Sequence, residues 1–216
     1  AGNAGFNAAY VQTGVEQCDT GGTPTASCDA QCYVLPRRFV EVEPNNALAT
    51  ANNIGTFTLI QAAIQPAADF DLFAFTVNEV VHLTAETSNP NGSCTGTFDT
   101  GLALLDDTET TLAYNGDIDF STNYCSRISP ATHPGTRSLV PGRTYYLYVE
   151  LESTLDTVGE YRLQVTFTPN VCGDGYQGGP EPCDGPAGCS PTCTTVCGDG
   201  IVTPPAETCD SVPGCD

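Results

Sequence analysis

The 216-residue sequence contains no methionine, no tryptophan and no lysine; its six cations are all arginine, against 26 acids, for a formal charge of -20. A surface so poor in positive charge lacks the electrostatic grip that nucleic acid or anionic lipid requires, so neither is expected as a partner. It suits divalent cations, basic partners or a saline exterior, and carboxylates that only keep the surface soluble explain it equally well. Long apolar runs are missing too: no stretch of 18 or more occurs, so no membrane insertion is expected. No basic, apolar leader opens the sequence at Ala1, which for a secreted protein implies a processed or trimmed start. Histidine is limited to His82 and His133, and neither Gly-x-Ser-x-Gly nor His-Glu-x-x-His is present. Carboxylate pairs such as Asp69/Asp71 and Asp106/Asp107 come with no cleft or aromatic platform. The expectation is a protein that is not an enzyme.

Cysteine, by contrast, is abundant, and its placement divides the chain. Of the twelve, Cys18, Cys28 and Cys32 lie near the start and seven crowd residues 172–215, leaving Cys94 and Cys125 in the long stretch between. Disulfides in an oxidising, extracellular or cell-surface setting are the default reading. Zinc is the alternative for Cys189-x3-Cys193-x3-Cys197, but repeated Cys-x2-Cys knuckles are lacking and histidine is scarce. The ends therefore read as stapled segments, and the middle is the part long enough to bury a core.

The C-terminal segment repeats itself. Val171-Cys-Gly-Asp-Gly runs on to Cys183-Asp, as Val196-Cys-Gly-Asp-Gly runs on to Cys209-Asp, and six residues later come Cys189 and Cys215. The first copy closes at Cys193; the second stops at Asp216 before a fourth cysteine. A weaker copy covers Tyr10 to Cys32, with Phe6 where the first cysteine would stand. Four cysteines allow three pairings, and each leaves one cysteine of either incomplete copy without its normal partner: Cys28 and Cys209, Cys32 and Cys197, or Cys18 and Cys215. Such leftovers suggest head-to-tail self-association into a fibre, or a segment of a longer chain, with simple truncation and free thiols as the bland alternative.

Between these ends, residues alternate with a period of two: Phe73, Phe75 and Val77; Val81, Leu83 and Ala85; Leu102 and Leu104; Leu147, Val149 and Leu151; Leu163, Val165 and Phe167. Asn78-Glu79 reads as a short hairpin turn, and Pro141-Gly142 and 157–159 as turns before the last two strands. The best helical candidate is Ala47 to Asn53. Tyr145, Tyr146 and Tyr148 read as sheet packing, with an exposed binding stripe as the alternative. The expected fold class is all-β: a jelly-roll-like antiparallel β-sandwich of seven or eight strands flanked by small disulfide-rich modules. The segments are 1–38, a partial cysteine-rich repeat; 39–169, the sandwich; 170–195, a complete repeat; and 196–216, an incomplete one. Cys94 and Cys125 read as a pair that staples a polar excursion between strands, contributing roughly 3–4 kcal/mol through chain entropy.

Two resemblances rest on these residues. The Cys-Gly-Asp-Gly...Cys-Asp...Cys...Cys units look like the myxobacterial-type cysteine-rich repeat of large secreted proteins. The middle resembles the bacterial pre-peptidase C-terminal domain through Glu43-Pro-Asn-Asn46, through Ala68-Asp-Phe-Asp-Leu-Phe-Ala-Phe-Thr-Val77, and through Leu139–Val149 followed by Gly159–Val165, which look like its paired closing strands. That resemblance implies a jelly-roll-like sandwich appended to secreted proteases and to non-enzymatic surface proteins, often with calcium near the first two motifs. By their chemistry, Glu43, Asn45, Asp69 and Asp71 are the candidate ligands for Ca2+, a hard cation that takes six to eight oxygens; turn capping by Asp69 and Asn45 is the alternative. Three functions follow: a structural or adhesive segment of a surface protein or fibre; an accessory module that holds a linked hydrolase to an extracellular polymer; or a processing domain of a secreted protease.

Overall fold

A computed structural model describes residues 38–55, 58–66, 68–92, 94, 98–152, 158–177, 183–184, 189–190 and 192–193. It contains β1 (Arg38–Val40), β2 (Asn52–Asn53), β3 (Leu59–Ile64), β4 (Asp71–Thr76), β5 (Val81–Ser88), β6 (Thr100–Asp106), β7 (Thr111–Asn115), β8 (Arg127–Ile128), β9 (Thr144–Leu151) and β10 (Val158–Pro169). The strands form two five-stranded sheets, in the orders β1-β3-β10-β5-β8 and β2-β4-β9-β6-β7. This is the expected all-β sandwich, with more strands than the seven or eight expected. The extra ones are two- and three-residue edge strands, too short to show a period.

Alternation builds the core. Phe73 lies opposite Leu147, and Leu147 opposite Leu104, so one inward row crosses three strands of the second sheet. Ile60, Leu163, Val165 and Leu83 face it from the first sheet, and all of these residues are fully buried. Interiors of this density repack poorly, so truncating one such leucine to alanine costs roughly 2–5 kcal/mol. At Pro141-Gly142 the expected turn forms, with Gly142 at φ 77°, where a side chain is strained.

Several local expectations are corrected. The two alternating runs around Asn78-Glu79 do not form a hairpin: β4 belongs to one sheet and β5 to the other. Period-two burial is the same whether a chain folds back beside itself or arches across the core, so the pattern does not distinguish them. For the same reason β9 and β10, expected as paired closing strands, pair instead with β4 and β6 and with β3 and β5. Two edge pairs, β1 with β3 and β2 with β4, are parallel rather than antiparallel; the chain crosses to the opposite sheet between partners, which permits it. Ala47 to Asn53 holds a short 3-10 turn at Leu48–Thr50 followed by β2 rather than a longer helix.

The bond from Cys94 to Cys125 is present as expected. What it closes is not simply a polar excursion but the β6–β7 pair, and β6 is a central strand. In the following segment Cys172 bonds Cys193 and Cys183 bonds Cys189, the first-to-fourth, second-to-third pattern. That is the pattern in which Cys32 and Cys197 are left over; both lie outside the described residues, as do the segments 1–37 and 194–216. Among the described residues, no helix is long and apolar enough to cross a membrane.

Candidate metal centre

The acids gather where the chain enters the sandwich. After β1 the segment Glu41-Val-Glu-Pro-Asn45 leaves the edge of the first sheet, held by the Glu41 N–H on the Gln61 carbonyl at 3.1 Å and by Asn52, whose amide bonds both the N–H and the carbonyl of Val42. Glu41 and Glu43 reach the start of β4, where Asp71 lies, and Asn45 follows the bend at Glu43 and the cis Glu43–Pro44 peptide. Glu41, Glu43 and Asp71 each offer a carboxylate oxygen, and the three oxygens lie within 4.8 Å of one another. A cleft of about 300 Å3 opens beside Glu41 and Glu43, lined also by Val40, Gln61, Ala62, Ala63, Gly159 and Glu160.

Four predicted residues therefore separate into two roles. Glu43 and Asp71 are brought together, and Asn45 is fully buried, with its backbone N–H on Glu43 Oε2 at 2.9 Å. Asp69 serves as a cap: one oxygen accepts the Asn46 amide and the other the Gln65 N–H at 2.9 Å. It precedes β4 rather than alternating with Asp71 along it. Glu41 was missed, although its signal, a second glutamate two positions before Glu43, is present in the sequence. Tyr161 was missed for a better reason: its hydroxyl donates to Asp71 Oδ2 at 2.6 Å across 90 residues of chain.

The electrostatics are unbalanced. Asp71 is wholly buried, accepts that one hydrogen bond on Oδ2, and has Oδ1 without a partner. Both polar atoms of the Asn45 amide are likewise buried and unbonded. Burial pushes the Asp71 carboxyl up to about 7; the Tyr161 bond opposes the rise, and the charges of Asp69 and Glu43 add to it. The Asn45 amide also lowers it slightly, lying close to Asp71 without meeting hydrogen-bond geometry. Glu41 is pushed to about 9, first by burial and then by the charge of Asp71, although its Oε2 accepts the Ala63 N–H at 2.6 Å. A buried polar atom without a partner costs free energy, and like charges this close resist ionising together. An all-oxygen set of carboxylates and an amide, arranged around unused acceptors, fits a hard divalent cation of calcium's preferences.

Several of the other acids are spent locally, although Asp99 and Asp117 each keep a buried carboxylate oxygen without a partner. Asp106 caps the β6–β7 turn through Thr108 and Thr110 and pairs with Arg143, which also holds Asp107. In the cysteine-rich segment, Asp184 accepts the N–H groups of Gly173 and Gly175, and Asp174 those of Val171 and Tyr176. Of the tyrosines, Tyr145 is buried in the core, while Tyr148 packs on Phe70 with ring centroids 5.2 Å apart.

No family model and no curated protein matches this chain. Among solved structures, it is similar to the pre-peptidase C-terminal domain of collagenase from Bacillus anthracis, with 22% identity over 58% of this chain and 100% of that one, and a TM-score of 0.40. This is the family that the motifs of residues 43–46 and 68–77 resemble. The resemblance of the flanking segments to myxobacterial-type repeats rests on their sequence alone.

Proposed function

We propose that this chain is a non-catalytic structural or adhesive segment of a secreted surface protein or extracellular fibre, and that Glu41, Glu43, Asn45 and Asp71 hold a calcium ion that stabilises its sandwich. The observation that carries the cation is the pair of buried, unbonded groups, Asp71 Oδ1 and the Asn45 amide, beside three converging carboxylates. Bound there, the ion would supply the positive charge that this corner of the fold lacks. The side chains of the 41–45 segment would then be tied to β4, on the other sheet of the sandwich. Disulfides at 94–125, 172–193 and 183–189 support an oxidising exterior. A non-catalytic role is supported by His82, which is 2% exposed with both ring nitrogens engaged.

Calorimetry of the whole chain tests the cation. At pH 8 and constant ionic strength, millimolar calcium raises the midpoint by roughly 5–15 °C over chelator, the range for a ligand near a hundred times its Kd. Equal midpoints overturn the proposal. A second reading, an accessory or processing module of a secreted hydrolase, is favoured by the Glu43–Asn46 and 68–77 motifs. A hydrolase encoded in the same gene supports it, and tandem copies of these modules with filaments at the cell surface support the first.

A further inference from the structure

β5 and β10 run side by side to the end of their sheet, where Thr168 lies opposite His82 and Pro169 opposite Val81. Val81 and Leu83 face the core, so strand alternation sends His82 to the outer face, where a residue ordinarily meets water. It is nevertheless only 2% exposed. Part of its cover is the chain that leaves the sandwich. Asn170 donates its N–H to the Val80 carbonyl at 3.1 Å, the chain turns, and Asp174 Oδ2 comes to 3.0 Å from His82 Nε2. Tyr176 then meets the imidazole edge-on, with ring centroids 5.3 Å apart.

The sandwich contributes the other half of the contact. Ser138 donates its N–H to His82 Nδ1 at 3.3 Å, its hydroxyl accepts the Asn170 amide at 3.0 Å, and the Arg137 guanidinium lies 5.0 Å from the centre of the Tyr176 ring. With Nδ1 accepting from a backbone N–H, the ring proton sits on Nε2 and is donated to Asp174. Ser138 holds a φ of 55°, a conformation that a non-glycine residue keeps only when its surroundings impose it. Asp174 is the aspartate of the Cys172-Gly-Asp-Gly turn, which the Cys172–Cys193 bond closes.

We propose that His82 is a positioning residue that keys the cysteine-rich segment to the sandwich through Asp174, so that the two turn in solution as one body. An unkeyed linker would leave His82 wet and the segment free to swing. A keyed joint fixes the direction in which the chain continues, as a stiff spacer requires. The inference uses none of the calcium ligands and does not depend on the ion.

Nitrogen-15 relaxation and amide hydrogen exchange on the whole chain, in calcium and in chelator, test it. In the wild type, amides of residues 172–177 are expected to share the rotational correlation time of the sandwich in both conditions. His82→Leu, which fills space without a nitrogen, is expected to shorten that time for the segment and to speed exchange at residues 171–176 at least tenfold. The response of the sandwich to calcium should stay unchanged. His82→Gln, able to accept from Ser138 and donate to Asp174, is expected to restore shared tumbling. Tyr176→Ser lies outside the sandwich and loosens the joint even if His82→Leu fails to fold. Independent tumbling in the wild type, or shared tumbling in both His82→Leu and Tyr176→Ser, overturns the proposal.

Discussion

Asp71 and Asp174 are both shielded aspartates, one near the entry to the sandwich and one just past its exit, and their surroundings drive them in opposite directions. Asp174 accepts backbone N–H groups from Val171 and Tyr176 and the His82 Nε2–H, and these donors hold its carboxyl below the usual range although burial works the other way. Asp71 is buried more completely, has one hydroxyl as its donor and faces other carboxylates, and it is pushed up to about 7. Burial alone therefore does not decide what a carboxylate is for; the inventory of donors around it does. Asp174 is a finished structural contact, whereas Asp71 is an acceptor with capacity to spare.

The largest test of this contrast is pH. Glu41 and Asp71 have folded values raised from 4.5 and 3.8 to about 9 and about 7, so their protonated forms are favoured by folding. Their contribution to stability is full below the unfolded values and is lost as pH rises through about 7 and then about 9. The chelated protein should thus lose stability at this corner between pH 5 and pH 8, while calcium, which needs the ionised oxygens, should bind better over the same interval. The calcium-induced rise in midpoint is expected to be several-fold larger at pH 8 than at pH 5 in scanning calorimetry; an equal rise at both would show that the cluster is not the site.

A smaller effect is expected from Asp71→Asn. The amide oxygen can still accept from Tyr161 while one of the converging charges is gone. Without calcium at pH 8 the variant should melt a few degrees above the wild type, a gain of about 1 kcal/mol, and its response to calcium should vanish. A chelated midpoint below that of the wild type would mean that the carboxylate is already satisfied. The smallest effect belongs to the exit. Asp184→Ala removes the cap on Gly173 and Gly175 and should cost about 1 kcal/mol, seen as faster amide exchange in the 172–177 turn with no change in the calcium response. A shift in that response would tie the two regions together and break the comparison.

How much of this was legible in the sequence differs between the two regions. Glu43, Asn45 and Asp71 were readable because calcium chemistry selects close-spaced oxygen donors. Glu41 followed the same rule and was missed. Asp69 looked equivalent to Asp71, but its oxygens are used by Asn46 and Gln65, which no spacing announces. His82 gave no local signal beyond its place between Val81 and Leu83, and the bond to Asp174 spans 92 residues.

The sequence by itself determined the all-β class, the strands with a clear period of two and the pairing of Cys94 with Cys125. Each of these depends on composition or on a local period, and a local period records only which side of a strand is buried. The tertiary structure decided which sheet each strand joins, that 78–80 crosses the core instead of turning back, and that Tyr161 meets Asp71 and His82 meets Asp174. Those outcomes follow from packing two sheets on one core. A strand's inward face is the same in either sheet, and its neighbours are chosen by contacts far away in the chain.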